Sequence, residues 1–327
     1  MNDRRRQLLL ASAASLGAAP FASFAQSKFP DKNIRLIVPF AAGGTTDIVA
    51  RIFADPFGHL IGQAVVVDNR GGGGGIVGAE AIKAASPDGY ILGIATVSTM
   101  ATNPAINPKI TYNPLTDFVP ITNLASTPNV LAVNPSFPAK NYAEFLKVVK
   151  ASPGKYTFSS SGTGGIGHLM GEIYKDATGT FITHIPYRGA GPAINDTIGG
   201  QVSMIFDNLP SSLPFIQSGR LRAIAVASPK RIETLPDIPT FAELNLAAVN
   251  EGAWYGLQAP KGTPPDVIKF LQESAVKVLN MPDVKKRIEQ TSSAVVANTP
   301  AQFAEQISAE FEKYKRIVKA RNLTLET

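Results

Sequence analysis

Between residues 34 and 227, short apolar runs alternate with stretches whose apolar residues recur at helical spacing. That alternation restricts the chain to an α/β architecture with mainly parallel sheets. Residues 34–38 read as a strand, and 46–60 as a helix with apolar residues at 48, 49, 52, 53, 57 and 60. Pro56 inside that stripe predicts a kink or an early stop, because proline removes a helical hydrogen bond and crowds the preceding turn. A strand at 65–67, a helix at 76–85, a Pro87-Asp88-Gly89 turn and a strand at 91–96 complete one β-α-β-α-β unit. A similar run starts at a helix capped by Asn141 and Glu144. It continues through 155–160, 168–177, 181–187, 193–198 and 201–206, and closes at 221–227. Two helices follow, 265–280 and one opened by Thr299-Pro300-Ala301-Gln302, which supplies an N-cap, proline at N1 and glutamine at N3.

Two extended segments, 119–133 and 254–258, read as crossovers between lobes. Lobe 1 is expected over 26–126 and 251–327 and lobe 2 over 127–250, an arrangement that a 327-residue chain accommodates as two ordinary domains. A ligand cleft between them, near the carboxyl ends of the strands, follows from this plan.

The amino terminus bears on the compartment. Arg4, Arg5 and Arg6 precede an uncharged stretch from Gln7 to Ser27, and Ser23-Phe24-Ala25 offers small residues for cleavage. This pattern predicts a secretory signal peptide over 1–25, cut at Ala25-Gln26, and hence a periplasmic protein that does not itself span the membrane. Arg5-Arg6-Gln7-Leu8-Leu9 also approaches a twin-arginine signal, and the two export routes stay open. Cleavage would lower the net charge from +6 to +4 by removing three arginines and Asp3. The one dense basic run, Lys285-Lys286-Arg287, sits beside Glu289 as on a solvated helix face, so nucleic acid is not an expected partner. With no cysteine, thiolate chemistry and disulfides are absent.

Four strand-to-helix loops place glycine and small hydroxyl residues before a helix. They are residues 39–47, 68–75 with five successive glycines, 159–167 and 186–192. A helix amino terminus carries unpaired N–H groups and the positive end of the macrodipole, so such loops converging on a cleft would hold an anion. Gly73-Gly74-Gly75-Ile76-Val77-Gly78 also fits a dinucleotide pattern, but the acidic residue that would hold the ribose about 20 positions on is missing. No cofactor is expected. His59, His168 and His184 lack metal-ligand spacing, and no metal site is expected either. Ser161 with His168 could form a nucleophile and base, but no G-x-S-x-G elbow accompanies them, and the chain is read as a non-enzyme over a periplasmic hydrolase. Arg188 could pair with a carboxylate or lie on the surface; Asp207 could face the cleft or cap the next helix.

Several motifs in order then carry a family likeness. Residues 37–47 (IVPFAAGGTTD), Asn69-Arg70 with the glycine run, 87–90 (PDGY), 185–192 (IPYRGAGP), 206–210 (FDNLP), 235–240 (LPDIPT) and 256–260 (GLQAP) together resemble the substrate-binding proteins of tripartite tricarboxylate transporters, the Bug proteins. The resemblance implies a two-lobed, type II periplasmic-binding-protein-like fold that closes on a small carboxylate and delivers it to membrane transporter subunits. It implies a monomer that binds di- or tricarboxylates, acidic amino acids or aromatic acids. It places ligand contacts on Phe40, Ala41, Ala42, Gly43, Gly44 and Thr45 of lobe 1. In lobe 2 it places them on Ser160, Ser161, Gly162, Thr163, Gly164, Gly165, Arg188, Gly189 and Asp207. Pro56 and the five-glycine run depart from the family pattern. A same-fold sensor serving a signalling system is the alternative role. On this reading Gly43→Val removes a backbone donor and abolishes binding without unfolding the chain.

Overall fold

The computed structural model describes residues 29–325. The signal segment expected over 1–25 lies outside the described residues. Two mixed sheets form the framework. Sheet 1 has the order β11 (Ala294–Val295), β4 (Phe118–Thr127), β10 (Ala253–Pro260), β3 (Ile91–Thr96), β1 (Ile34–Val38), β2 (Val65–Asn69), and sheet 2 the order β7 (Thr183–Pro186), β6 (Thr157–Ser160), β8 (Met204–Asn208), β5 (Asn129–Val133), β9 (Arg222–Ala227). In sheet 1, β1 (Ile34–Val38), β2 (Val65–Asn69) and β3 (Ile91–Thr96) run parallel. In sheet 2, β6 (Thr157–Ser160), β7 (Thr183–Pro186) and β8 (Met204–Asn208) repeat that parallel trio.

The extended segments differ from expectation in a way that explains the mixed sheets. They are not bare linkers but strands: β4 (Phe118–Thr127), β5 (Asn129–Val133) and β10 (Ala253–Pro260). β10 lies antiparallel between β3 and β4, and β5 antiparallel between β8 and β9 (Arg222–Ala227). Each crossing is therefore only a few residues long, at Pro128 and at Asn250–Gly252. The reason is hydrogen bonding: an extended backbone entering a lobe core must pair its N–H and C=O groups, and a sheet slot does so.

Helices cover both faces. α1 (Thr45–Ile61) continues through Pro56 as one helix, so of the two outcomes expected there the early stop does not occur. Phe53 and Phe57, both buried, stack at 4.6 Å across the proline turn and tie its two sides to the core. The remaining helices are α2 (Ile76–Lys83), α3 (Asn103–Ile106), α4 (Tyr142–Ala151), α5 (Ile166–Thr178), α6 (Ala190–Ile198) and α7 (Leu209–Gln217) in chain order, then α8 (Pro265–Leu279), α9 (Pro282–Glu289) and α10 (Pro300–Ala320). Thr299 and Gln302 form the reciprocal cap that the sequence predicts for α10, and Asn141 caps α4 from its side chain.

The long carboxy-terminal α10 returns to sheet 1 and seals β10. Phe303 fills the space that the missing side chain of Gly256 leaves open and meets Trp254 edge-on at 5.2 Å. The Trp254 indole N–H donates to Glu310 Oε2 at 2.9 Å. Phe303→Ala should therefore lower the unfolding free energy by about 3–5 kcal/mol. Urea denaturation reads this as a lower midpoint at unchanged slope; an unchanged midpoint would show that α10 does not support the sheet.

Candidate ligand-binding site

The loops that leave β1, β2 and β3 face the loops that leave β6, β7 and β8, and they meet. Ala41 N–H donates to the Arg188 carbonyl at 3.1 Å, Ile166 N–H to Ser98 Oγ at 3.0 Å and Ser211 N–H to Thr45 Oγ1 at 3.1 Å. Thr102 Oγ1 donates to the Gly164 carbonyl at 2.7 Å, and Thr45 Oγ1 lies 2.8 Å from Ser211 Oγ. All of these bonds cross from one lobe to the other. The lobes are closed.

Missing side chains allow this approach. A β-carbon on Gly162 would lie 2.7 Å from Gly74 N, and one on Gly189 would lie 2.8 Å from Ala41 N. At Gly71, Gly74 and Gly191 it would overlap the opposing carbonyl of Arg188, Thr163 or Ala42. Gly71 and Gly74 of the five-glycine run thus belong to a seam in which backbone packs on backbone. Asn103, fully buried, braces the lobe 1 side of it by donating Nδ2 to the Gly74 carbonyl at 2.9 Å.

Inside the seam remains a void of about 10 Å³, lined by Phe40, Gly44, Thr45, Thr96, Ser98 and Ser161 among others, with no charged side chain. Four helices begin at it: α1 after Gly44, α5 after Gly165, α6 after Gly189 and α7 after Asn208, and none of these four caps is filled by its own side chain. Four positive helix ends around a neutral, hydroxyl-lined space favour an anion.

The residues expected at the site divide into four groups, one of which, Ser160 and Asp207, is buried behind the loops. Phe40, Gly44, Thr45 and Ser161 line the void, and Gly165 starts the helix that opens on it. Ala41, Gly162, Thr163, Gly164 and Gly189 make the seam. Ala42, Gly43 and Arg188 sit exposed at its rim, where the arginine contributes its carbonyl to the closure bond. Gly43 corrects the expected role of its N–H. It has φ 84°, and its N–H already donates to Asp47 Oδ2 at 3.1 Å, so a side chain there would distort the loop rather than remove a ligand donor. Asp47 organises this loop: it also accepts from Arg51 and from Asn69, and these bonds hold its carboxyl below the usual range against the opposing effect of burial.

A family model described as the tripartite tricarboxylate transporter family receptor matches residues 49–323. The chain belongs to this receptor family. It is 34% identical to protein BugT of Bordetella pertussis over 91% of this chain and 92% of that protein. A structure described as a periplasmic transporter is 52% identical, with a TM-score of 0.89 over 91% of this chain and 100% of the other. A Rhodopseudomonas palustris protein solved with adipate is 31% identical, TM-score 0.87, covering 90% of this chain and 99% of that one. Another from that organism, with bound malate, is 29% identical, TM-score 0.85, covering 89% and 100%. The two-lobed fold is shared by these receptors.

Receptor loops in this chain rest on a buried polar layer. Ser160, with no exposed surface, lies 2.7 Å from His184 Nε2, and His168 stacks on His184 at 4.1 Å. Gly164 N–H donates to His168 Nδ1 at 3.1 Å, so that nitrogen is unprotonated and the ring braces the loop from behind. The serine touching a histidine is therefore Ser160 rather than Ser161, and it faces inward. Asp207 is likewise 5% exposed and accepts from Ser211 Oγ and Ser212 Oγ, each at 2.7 Å, steadying the start of α7.

Sequence reading passed over Thr96, Val97, Ser98 and Tyr255, which line the void. The hydroxyl-rich run after β3 obeys the same carboxyl-edge rule as the other loops, so it was available as a signal. Tyr255 offered none, because its place depends on β10 crossing into the sheet.

Burial lowers His168 to about 4, and burial with neighbouring His168 lowers His184 to about 3, from an ordinary 6.5. The unfolded chain then binds these protons first, so their contribution is complete above 6.5 and is lost as pH falls towards 4 and 3. Asp207 acts oppositely: burial raises it to about 6 from 3.8, so the folded state gains as pH falls through that window. The melting temperature should fall from pH 6.5 to 4, less steeply in His184→Phe and more steeply in Asp207→Asn. Identical slopes in all three proteins would contradict this assignment.

Proposed function

We propose that the chain is a periplasmic solute-binding receptor whose cleft takes a small organic carboxylate and which delivers it to a tripartite tricarboxylate-type membrane transporter. The observation that carries this reading is the meeting of four helix amino termini that lack a side-chain cap of their own, two sheets and no charged side chain around one enclosed space. Dipoles and hydroxyls can hold a carboxylate there without the desolvation of a buried lysine or arginine. Relatives solved with adipate and with malate support the same ligand class. No helix among the described residues is long and apolar enough to cross a membrane.

Closure is part of the function. A void of about 10 Å³ holds at most a single water, so a carboxylate enters only when the lobes part, and then re-forms the seam around itself. Phe40, Gly44, Thr45, Ser98, Ser161 and Gly165 are the direct contacts in this account. Ser160 and Asp207 position them. Turnover is not expected, because Ser160 is buried, and the carboxylate of Glu172 lies near His168 (3.8 Å) rather than near the His184 that Ser160 contacts.

Thermal unfolding of the mature, ligand-stripped protein tests this proposal. A carboxylate present at 100 times its dissociation constant should add about 2.7 kcal/mol of stability. At least one of malate, adipate, citrate, glutamate or benzoate should raise the melting temperature, and its neutral amide should not. An amide that stabilises as well as its acid, or a panel without any shift, would overturn the anion-binding reading. Gly44→Val should abolish the shift with the fold retained, because a β-carbon there already reaches 3.2 Å from the Ala190 β-carbon. Retained affinity in that variant would move the site elsewhere.

A further inference from the structure

Gly164, in the loop between β6 and α5, is gripped from both lobes. From within lobe 2 its N–H donates to His168 Nδ1 at 3.1 Å, and from lobe 1 its carbonyl accepts from Thr102 Oγ1 at 2.7 Å. A third side faces Asn103, whose amide oxygen a β-carbon on Gly164 would overlap. The φ of 75° at Gly164 favours glycine as well.

These contacts respond differently to closure. The bond to His168 lies inside one lobe and does not depend on the state of the cleft. The bond from Thr102 crosses between lobes and must break when they part. Thr102 is fully buried, and its other acceptor, the Ser98 carbonyl, is more distant at 3.4 Å. Asn103 Oδ1 is buried without a hydrogen-bond partner among the described residues, so closing the seam over it costs its hydration. The net hold at this point of the seam therefore rests on the Thr102 bond.

That bond requires the Gly164 peptide to point one way, and glycine alone imposes no direction. His168 does impose one. The imidazole is 3% exposed and cannot turn aside. One face stacks on His184 at 4.1 Å, and Nε2 lies 3.8 Å from Glu172 Oε1. His184 is itself held by Ser160 Oγ at 2.7 Å. This packing aims Nδ1 at the Gly164 N–H.

We propose that His168 is a positioning residue for closure: by holding the Gly164 N–H from inside lobe 2 it aims the Gly164 carbonyl at Thr102, and that bond latches the lobes over the bound ligand. The inference rests on the reading of the cleft as a closing carboxylate site. Stopped-flow dissociation tests it, with whichever of malate, adipate, citrate, glutamate or benzoate stabilises the protein most as the probe. Thr102→Val leaves the Gly164 carbonyl unpaired only in the closed form and should speed dissociation about 10-fold. His168→Leu should do the same. His168→Asn should restore the slow rate, because its Oδ1 lies as many bonds from the backbone as Nδ1. Joining Thr102→Val to His168→Leu should add little further. Unchanged rates in the single variants, an asparagine variant as fast as leucine, or fully additive effects would each overturn the latch. Should the leucine variant fail to fold, His168→Gln, whose amide lies one bond farther out, takes its place with the same expectations. Amide exchange in the ligand-free protein supplies a readout that needs no carboxylate. The Gly164 N–H should exchange slowly in the unaltered and asparagine proteins and about 10-fold faster in the leucine variant. Equal exchange in all three would overturn the proposal. A panel in which no carboxylate binds would count against the proposed function and leave this comparison to decide the role of His168.

Discussion

Backbone packs directly on backbone across the cleft, at Gly71 and Gly74 against Arg188 and Thr163, and at Gly189 and Gly191 against Ala41 and Ala42. The rest of the site depends on this approach. It draws the amino termini of α1, α5, α6 and α7 to one point, and it lets Ser98 Oγ and Thr45 Oγ1 accept from N–H groups near helix starts in the other lobe. A single added methyl group on most of these glycines would hold the lobes apart. The seam explains Gly71 and Gly74 of the five-glycine run, whereas Gly72, Gly73 and Gly75 turn at positive φ against residues of their own lobe.

Anion capture without a cation is physically consistent with such a seam. A lysine or arginine in the cleft would need its own hydration removed on closure, and it would leave an unpaired buried charge whenever the ligand was absent. Helix dipoles and hydroxyls carry smaller, fixed charges that the fold already orients. The ionisable groups near the site are turned to other work. Asp47 ties the first loop, Asp207 steadies α7, and the stacked His168 and His184 support the loop between β6 and α5. Under the proposed function, specificity within the carboxylate class would fall to the shape of the space around Phe40, Thr96 and Ser161.

Much of this was legible in the chain. The strands at Ile34–Val38 and Ile91–Thr96, the cap at Thr299 and the glycine-rich loops follow from local rules of periodicity, capping and carboxyl-edge geometry. What stayed hidden depends on partners distant in sequence. Pro56 stays inside a helix because Phe53 and Phe57 are packed on either side of it. Gly43 spends its N–H on Asp47, and Arg188, whose role between a carboxylate partner and the surface was open, lies exposed and contributes its carbonyl, because backbone atoms carry no residue-specific mark. β10 could be recognised as a crossover but not as an interior strand, since its antiparallel slot exists only after both lobes have formed.

Amide hydrogen exchange, read residue by residue in the ligand-stripped protein and again with a bound carboxylate, tests the closure account most directly. The N–H groups of Ala41, Ile166 and Ser211 donate across the cleft from both lobes, so ligand should slow their exchange together. Protection that appears in one lobe only, or not at all, would contradict a site assembled by closure.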